Sequence, residues 1–272
     1  MSPLVSICIP SYNNAEYIEK TIKSVFDQTY DNLELIISDD ASTDETNEIV
    51  EKLIIDSRIP VIFKTSKENR GISQNWNYSL SLAQGMYIKI LPGDDVIEPD
   101  CIAKQVVCFK RNSDVALVFC ARKIITRSDK HLLTARFYKD RRVSGEDVLR
   151  KSIVNGTNVV GEPGAVLFSH EFSKLVGEFS PLRPYVVDMD YWMRLLEHGD
   201  GFAQYELLSS FRIDQNLSVR IGPSRKNQFT QLCRELAHKW NISPTLLMYG
   251  KCRAAFNEFL RRYVHKLFFR FG

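Results

Sequence analysis

The sequence predicts an α/β fold: a mainly parallel central sheet flanked by helices, followed by a C-terminal helical segment. Three observations carry the prediction. Between residues 4 and 91, short apolar runs alternate with helix-periodic stretches four times, joined by short connections, which is the pattern of right-handed crossovers around one sheet. The run "LELII" from Leu33 to Ile37 is apolar almost throughout, as expected for a parallel strand covered on both faces. With 272 residues and 44% hydrophobic composition, the chain can bury a full core.

The elements follow in order. Leu4, Val5, Ile7, Cys8 and Ile9 form a first strand that Pro10 ends, and Ile18, Ile22, Val25 and Phe26 then recur at helical spacing. The second strand closes on Asp39 and Asp40, after which Ser42 and Glu45 have the spacing of a capping box for a helix reaching about Ile55. "PVIFKT" at 60–65 is a third strand, and beyond the Gly71 turn Trp76, Leu80 and Leu82 mark a third helix. "MYIKIL" at 86–91 is a fourth strand, running into Gly93, Asp94 and Asp95. The pattern is looser afterwards, with a helix over about 100–112, a strand "VALVFCA" at 115–121, and a polar, basic connection over 122–142. Another apolar run, "AVLFS" at 165–169, precedes "VVDMDYWMRLLEHGD", and the residues beyond about 220 have helical patterning.

Composition narrows the function classes. No uncharged apolar stretch approaches the ~20 residues that span a bilayer, and the start lacks a basic leader pattern, so a cytoplasmic chain is expected. The six cysteines show no CxxC pair or Cys/His ligand spacing and are expected to be reduced, mostly buried thiols. The formal net charge of +3 is unevenly placed: residues 251–272 carry Lys251, Arg253, Arg261, Arg262, Lys266 and Arg270 against Glu258 alone. A uniformly basic surface for nucleic acid is therefore not expected.

Acids stand at three separated places: Asp39/Asp40, Asp94/Asp95 and Asp188/Asp190. The first two pairs lie at strand ends, where ligands collect in open α/β sheets. Adjacent carboxylates lose hydration and repel there, and a hard cation such as Mn²⁺ or Mg²⁺ shared with a diphosphate would offset both costs. Neither GxxxxGK[ST] nor GxGxxG follows the first strand, so a P-loop or dinucleotide fingerprint is missing.

At this point the chain resembles the inverting family 2 glycosyltransferases with a GT-A fold. The resemblance rests on "VSICIPSYNNAEYIEKTIKSVFDQTYDNLELIISDDASTDET", "ENRGISQNWNYSLSLAQGMYIKILPGDD" and "VVDMDYWMRLLEHG", in that order, and covers roughly residues 4–215. It implies a glycosyltransferase domain at 1–220, with 221–272 as a helical extension. It also implies a nucleotide pocket lined by Pro10, Tyr12, Asn13, Asp39, Asp40, Asn69, Arg70 and Asn75, with Asp40 on the base, usually uracil. Asp94 would contact ribose or sugar, and Asp95 would ligate Mn²⁺ or Mg²⁺, with Gly93 keeping the approach uncrowded. Asp188 matches the general base and Asp190 is its rival, because Val187 replaces the family's usual glutamate. Trp192 and Arg194 fall on the acceptor or phosphate side. In "FRIDQNLS", Asp214 stands where the family often has a histidine, and ligation by that acid in its place stays open.

The expected reaction moves a sugar from a nucleotide-sugar, UDP-linked in the usual case, to a saccharide or lipid-linked saccharide hydroxyl during surface polysaccharide synthesis. Two alternatives stay open. A sugar-phosphate nucleotidyltransferase would need a glycine-rich, basic first loop, and "IPSYNNAEY" has neither glycine nor lysine; an inactive nucleotide- or glycan-binding module is the other. In the tail, Phe256, Phe259, Leu260, Tyr263, Val264, Leu267, Phe268 and Phe271 form a helical stripe. Flanked by cations, it suits an anionic membrane surface, which would make the enzyme peripheral on the inner face of the cell membrane. Packing on the catalytic domain or on a second subunit is the competing expectation. Trp76 and Trp240 are expected in the core, and no histidine is assigned to a metal.

Overall fold

The computed structural model describes residues 2–213 and 225–268, with the backbone alone for 225–227 and 261–268. Strands β1 (Val5–Ser11), β2 (Leu33–Asp39), β3 (Val61–Thr65) and β4 (Tyr87–Ile90) alternate with helices α1 (Ile18–Phe26), α2 (Thr46–Ile54) and α3 (Ile72–Ser81). They pair in parallel, as expected from the alternation, and their order in the sheet is β3-β2-β1-β4. The sheet continues through β9 (Val166–Ser169), β6 (Leu117–Ile125), β10 (Gly201–Arg212) and the short β5 (Val96–Ile97). Both β9 pairings are antiparallel, whereas β6 and β10 run parallel.

Two cores sandwich this sheet, because successive side chains of a strand point to opposite faces. Val5, Ile7 and Ile9 of β1 meet Ile18, Ile22 and Val25 of α1 and Ile102, Val106 and Phe109 of α4 (Cys101–Arg111). Cys8 of the same strand faces the other core, built with α5 (Gly145–Asn155) and α7 (Val187–Leu195). A short α6 (His170–Val176) follows β9. Fully buried aromatics pack this second core, with Phe179 stacked on Tyr191 at 3.7 Å between ring centroids.

Two local expectations are corrected. Ser42 does not cap α2: its hydroxyl donates to Asp39, and the helix begins at Thr46, after Asp44 Oδ1 accepts the Thr46 N–H at 3.1 Å. The basic stretch 122–142 is not a plain connection, since β6 runs on to Ile125 and is followed by β7 (His131–Ala135) and β8 (Arg141–Val143). Its charges hid these strands. Arg122 is buried against Glu162, Lys123 reaches Glu98 at 2.7 Å, and β7 and β8 are largely exposed.

The C-terminal part forms α8 (Arg225–Lys239) and α9 (Pro244–Phe268), and Leu232, Cys233 and Ala237 join the second core. Trp240 packs there too, and Trp76 lies edge-on to Phe179 at 5.2 Å. Helix α9 docks on α5 through small residues: a Cβ on Gly250 would lie 2.4 Å from Ile153, and one on Gly156 would lie 2.6 Å from the Ala254 nitrogen. Asn257 Nδ2 donates to the Asn155 carbonyl at 2.6 Å. The opposite face of α9 leaves Phe256, Phe259 and Leu260 exposed, Phe259 by 65%. The stripe positions Tyr263, Val264, Leu267, Phe268 and Phe271, like Asp214, lie outside the described side chains. No helix among the described residues is long and apolar enough to cross a membrane.

Candidate active site

The loops leaving the carboxyl ends of β1, β2 and β4 open onto a cleft of about 1370 Å³. Pro10, Tyr12, Asn13, Asp40, Asn69, Arg70, Asn75, Asp94 and Asp188 all line it, so nine of the residues expected at the site share one cavity. Several of them shape it through hydrogen bonds. Asp40 accepts the N–H groups of Arg70 at 2.8 Å and Gly71 at 2.9 Å, latching the 69–71 turn over the end of β2. Asn75 donates to the carbonyl of Ser38 at 3.0 Å and accepts from its hydroxyl, tying α3 to the same strand. Asn13, in the left-handed region at φ 53°, accepts the Thr43 N–H at 2.8 Å. The Arg70 guanidinium lies 4.3 Å from the Tyr78 ring.

The remaining expected residues stand back from the cleft wall. Asp39 is buried and its carboxylate accepts from the Ser42 N–H at 2.8 Å and the Ser42 hydroxyl, so it holds the turn and does not line the cleft. Trp192 is 0% exposed and donates from Nε1 to the Gly161 carbonyl at 3.1 Å, which removes it from the acceptor side. Arg194 donates to the carbonyls of Val176 at 2.7 Å and Glu178 at 2.8 Å, and its Nε reaches Asp190 at 3.1 Å. It is a fastener for α7 and not a cleft residue.

The two candidate bases are separated by their surroundings. Asp190 is held between Arg194 and Arg183, the latter at 3.4 Å, and points away from the cleft lining. Asp188 opens on the cleft, where its Oδ2 accepts from Asn158 Nδ2 at 3.1 Å and its Oδ1 from the Met189 N–H at 2.7 Å. Burial, and next the nearby Glu162, push its carboxyl up to about 7. A carboxyl poised there can take a proton near neutral pH.

Asp94 lines the cleft, and Asp95 lies behind it, 1% exposed, accepting the Arg212 N–H at 2.9 Å on Oδ1. Burial first and Asp94 second hold the Asp95 carboxyl well above the usual carboxylate range. Two adjacent carboxyl groups at the cleft make a purely oxygen donor set, which fits a hard divalent cation. Among the described residues no cluster of three or more ligating side chains forms a protein cage. A cation here would therefore be held by one or two carboxylates together with substrate oxygens, the habit of Mg²⁺ and Mn²⁺ at phosphates. Gly93 is required by a close approach: a Cβ there would lie 2.8 Å from Asn14 Oδ1.

Residues 6–172 match the family described as Glycosyl transferase family 2. The chain belongs to glycosyl transferase family 2. It is 30% identical over 256 residues to TuaG of Bacillus subtilis (strain 168), named for teichuronic acid biosynthesis, a match covering 92% of this chain and 95% of TuaG. S. aureus TarS 1–349 in complex with UDP-GlcNAc superposes with a TM-score of 0.67 at 18% identity, covering 97% of this chain and 73% of that one. Mannosyltransferase PcManGT from Pyrobaculum calidifontis, in complex with GDP-Man and Mn²⁺, gives 0.66 at 19% identity, covering 93% and 70%. These likenesses establish the GT-A fold.

In this family 2 glycosyltransferase, sequence reasoning missed Glu162, Arg122 and Arg212. Glu162 lines the cleft in the "GEPG" turn and pairs with the buried Arg122. Arg122 also donates to the Asn158 carbonyl at 3.3 Å, so Glu162, Arg122, Asn158 and Asp188 form one connected group. Arg212 is buried, donates from Nε to the Asp94 carbonyl at 2.9 Å, pairs with Asp129 at 2.6 Å, and covers the Tyr17 ring at 4.6 Å. The available signal for Arg122 was an arginine inside a mainly apolar run, "VFCARKII", and Arg212 had none beyond its place at the end of "LLSSFR".

Proposed function

We propose that this glycosyltransferase moves a sugar from a nucleotide-sugar, UDP-linked, to a saccharide hydroxyl by a single displacement with inversion, in surface polysaccharide synthesis. The observation that carries the reading is the cleft that Asp188 shares with Asp40 and Asp94. Pro10, Tyr12, Asn13, Asp40, Asn69 and Arg70 hold the nucleotide, and Asp94 the ribose or sugar. Asp188 takes the proton of the acceptor hydroxyl as its oxygen bonds to the anomeric carbon, and the broken anomeric bond leaves its electron pair on the diphosphate. Asp94 and Asp95 would hold Mn²⁺ or Mg²⁺, which when bound would neutralise that leaving charge. Residues 1–220 form the glycosyltransferase domain in this reading, and 221–272 its helical extension. The names of TuaG and of the UDP-GlcNAc and Mn²⁺ complexes support the setting, the donor class and the metal.

A thermal-shift screen tests it: UDP or a UDP-sugar raises Tm in the presence of Mn²⁺ and loses that effect when the metal is chelated. A shift given only by nucleoside triphosphates would point instead to a nucleotidyltransferase.

A peripheral, cytoplasmic-side position on anionic membrane is part of the reading, supported by exposed Phe256 and Phe259 beside Lys251 and Arg253. The full chain cosediments with anionic vesicles, and a Phe256→Ser/Phe259→Ser variant cosediments less. Equal sedimentation of the two refutes this placement.

A further inference from the structure

Glu162 reaches the cleft from the turn 161–166, which runs from the surroundings of Asp188 to those of Asp95. At one end Asn158 donates both to the Gly161 carbonyl and to Asp188, each at 3.1 Å. At the other, a Cβ on Gly164 would lie 3.6 Å from Asp95 Oδ2. Side chains from around the turn fasten its backbone. Lys89 of β4, 0% exposed, donates from Nζ to the carbonyls of Gly164 at 2.9 Å and Val166 at 3.0 Å. Gln105 of α4 donates to the Ala165 carbonyl at 2.9 Å, and Trp192 of α7 to the Gly161 carbonyl. Gly161 itself stands at φ 114°, and a Cβ there would lie 2.7 Å from Arg122 Nη1, so only glycine lets the backbone pass over that guanidinium. A turn held at so many points presents its one acidic side chain in a single geometry, as a recognition residue requires.

We propose that Glu162 is the specificity residue for the transferred sugar, accepting a hydrogen bond from a hydroxyl or amide N–H of that sugar, and that the sugar is uncharged and not a uronic acid. The available atom is Oε1. Oε2 is buried on Arg122, the side chain is 27% exposed where it lines the cleft, and among the described residues Oε1 accepts no hydrogen bond. The place is that of the sugar. In a single displacement the transferred ring lies between the departing diphosphate and the attacking hydroxyl, and the turn spans the same interval, from Asp95 to Asp188. The charge selects the partner. Arg122 lies behind Glu162 with its side chain 5% exposed, so the cleft meets the carboxylate and not the guanidinium. A sugar hydroxyl or amide N–H there gains a charge-assisted bond, whereas the carboxylate of a uronic acid meets like charge.

The inference rests on the glycosyltransferase reading, and its test separates the two. Isothermal titration of the full chain with Mn²⁺ compares UDP, UDP-glucose, UDP-galactose, their N-acetylhexosamine counterparts and UDP-glucuronate, in the parent and in Glu162→Gln. Arg122 can only donate, so the glutamine oxygen stays on it and the amide NH₂ replaces the acceptor on the cleft. The neutral UDP-sugar that the parent binds best is expected to lose about tenfold or more in affinity in the variant, while UDP holds its affinity. UDP-glucuronate is expected to bind the parent more weakly than that neutral sugar does, and to bind the variant no worse than the parent. A variant that melts cooperatively and binds neutral UDP-sugars as the parent does overturns the assignment, as does one that loses UDP by the same factor. So does a parent that binds UDP-glucuronate best. Should the variant not melt cooperatively, single-deoxy analogues of the best-bound UDP-sugar decide on the parent: one of them is expected to lose about tenfold, and equal binding by all of them overturns the contact. Failure of UDP to bind the parent strikes the glycosyltransferase reading instead.

Discussion

Replacing Asp188 by Asn removes the charge at the centre of the proposed chemistry and keeps the shape of the side chain. The carboxyl is pushed up to about 7 from an ordinary value of 3.8, so the folded protein binds a proton there that the unfolded chain releases. Stability is then fully present below the unfolded value and falls as pH rises through the folded one. At about pH 8 the ionised form costs ~2–4 kcal/mol, the lower figure allowing for the side of Asp188 that opens on the cleft. Asn escapes that cost and can still accept the Met189 N–H. The variant should therefore melt roughly 5–10 °C higher at about pH 8, and its advantage should shrink to less than half near pH 5. Transfer should fall by ~10²–10⁴ while Mn²⁺-dependent UDP binding is retained. Parallel thermal melts at the two pH values and a transfer assay read both effects. A melting gain independent of pH would refute the charge argument. Undiminished transfer would refute Asp188 as the base.

Two further outcomes follow from its neighbours. Glu162 is the second cause of the elevated Asp188 carboxyl, so Glu162→Gln should move the rising limb of the kcat/KM pH profile below its parent position near 7; an unmoved limb would mean that Glu162 exerts no field on the base. Arg212→Met should cost ~3–5 kcal/mol, read as a lower urea midpoint, because it leaves buried partners uncompensated; it should also weaken Mn²⁺-dependent UDP binding by loosening the Asp94 backbone, and nucleotide binding at parental strength would refute that coupling.

Much of the fold was legible because its first half obeys local rules that agree with one another. Ile18, Ile22 and Val25 sit at helical spacing and are the residues that α1 buries, and the continuous run Leu33–Ile37 is a strand covered on both faces. The rules failed where a tertiary partner decided the outcome. Nothing local says that Arg122 belongs inside a strand, since its burial depends on Glu162, forty residues away. Ser42 and Glu45 have capping-box spacing, yet Asp39 claims the serine hydroxyl, and the cap is lost to a neighbour outside the pattern.

The site was legible at the level of which loops meet, and illegible at the level of which carboxylate is available. Asp39 and Asp40 look alike in sequence, but one is enclosed by Ser42 while the other fastens Arg70 and Gly71 on the cleft wall. Asp188 and Asp190 differ more sharply. Two residues apart near the start of one helix, they project in different directions, and Arg183 and Arg194 reach only the second. Asp190 has its carboxylate oxygens taken up by two guanidinium groups. Asp188 is desolvated beside another carboxylate, which pushes its carboxyl up to about 7, and it is the one of the two that lines the cleft. Motif resemblance could propose both as the base; the guanidinium partners favour Asp188.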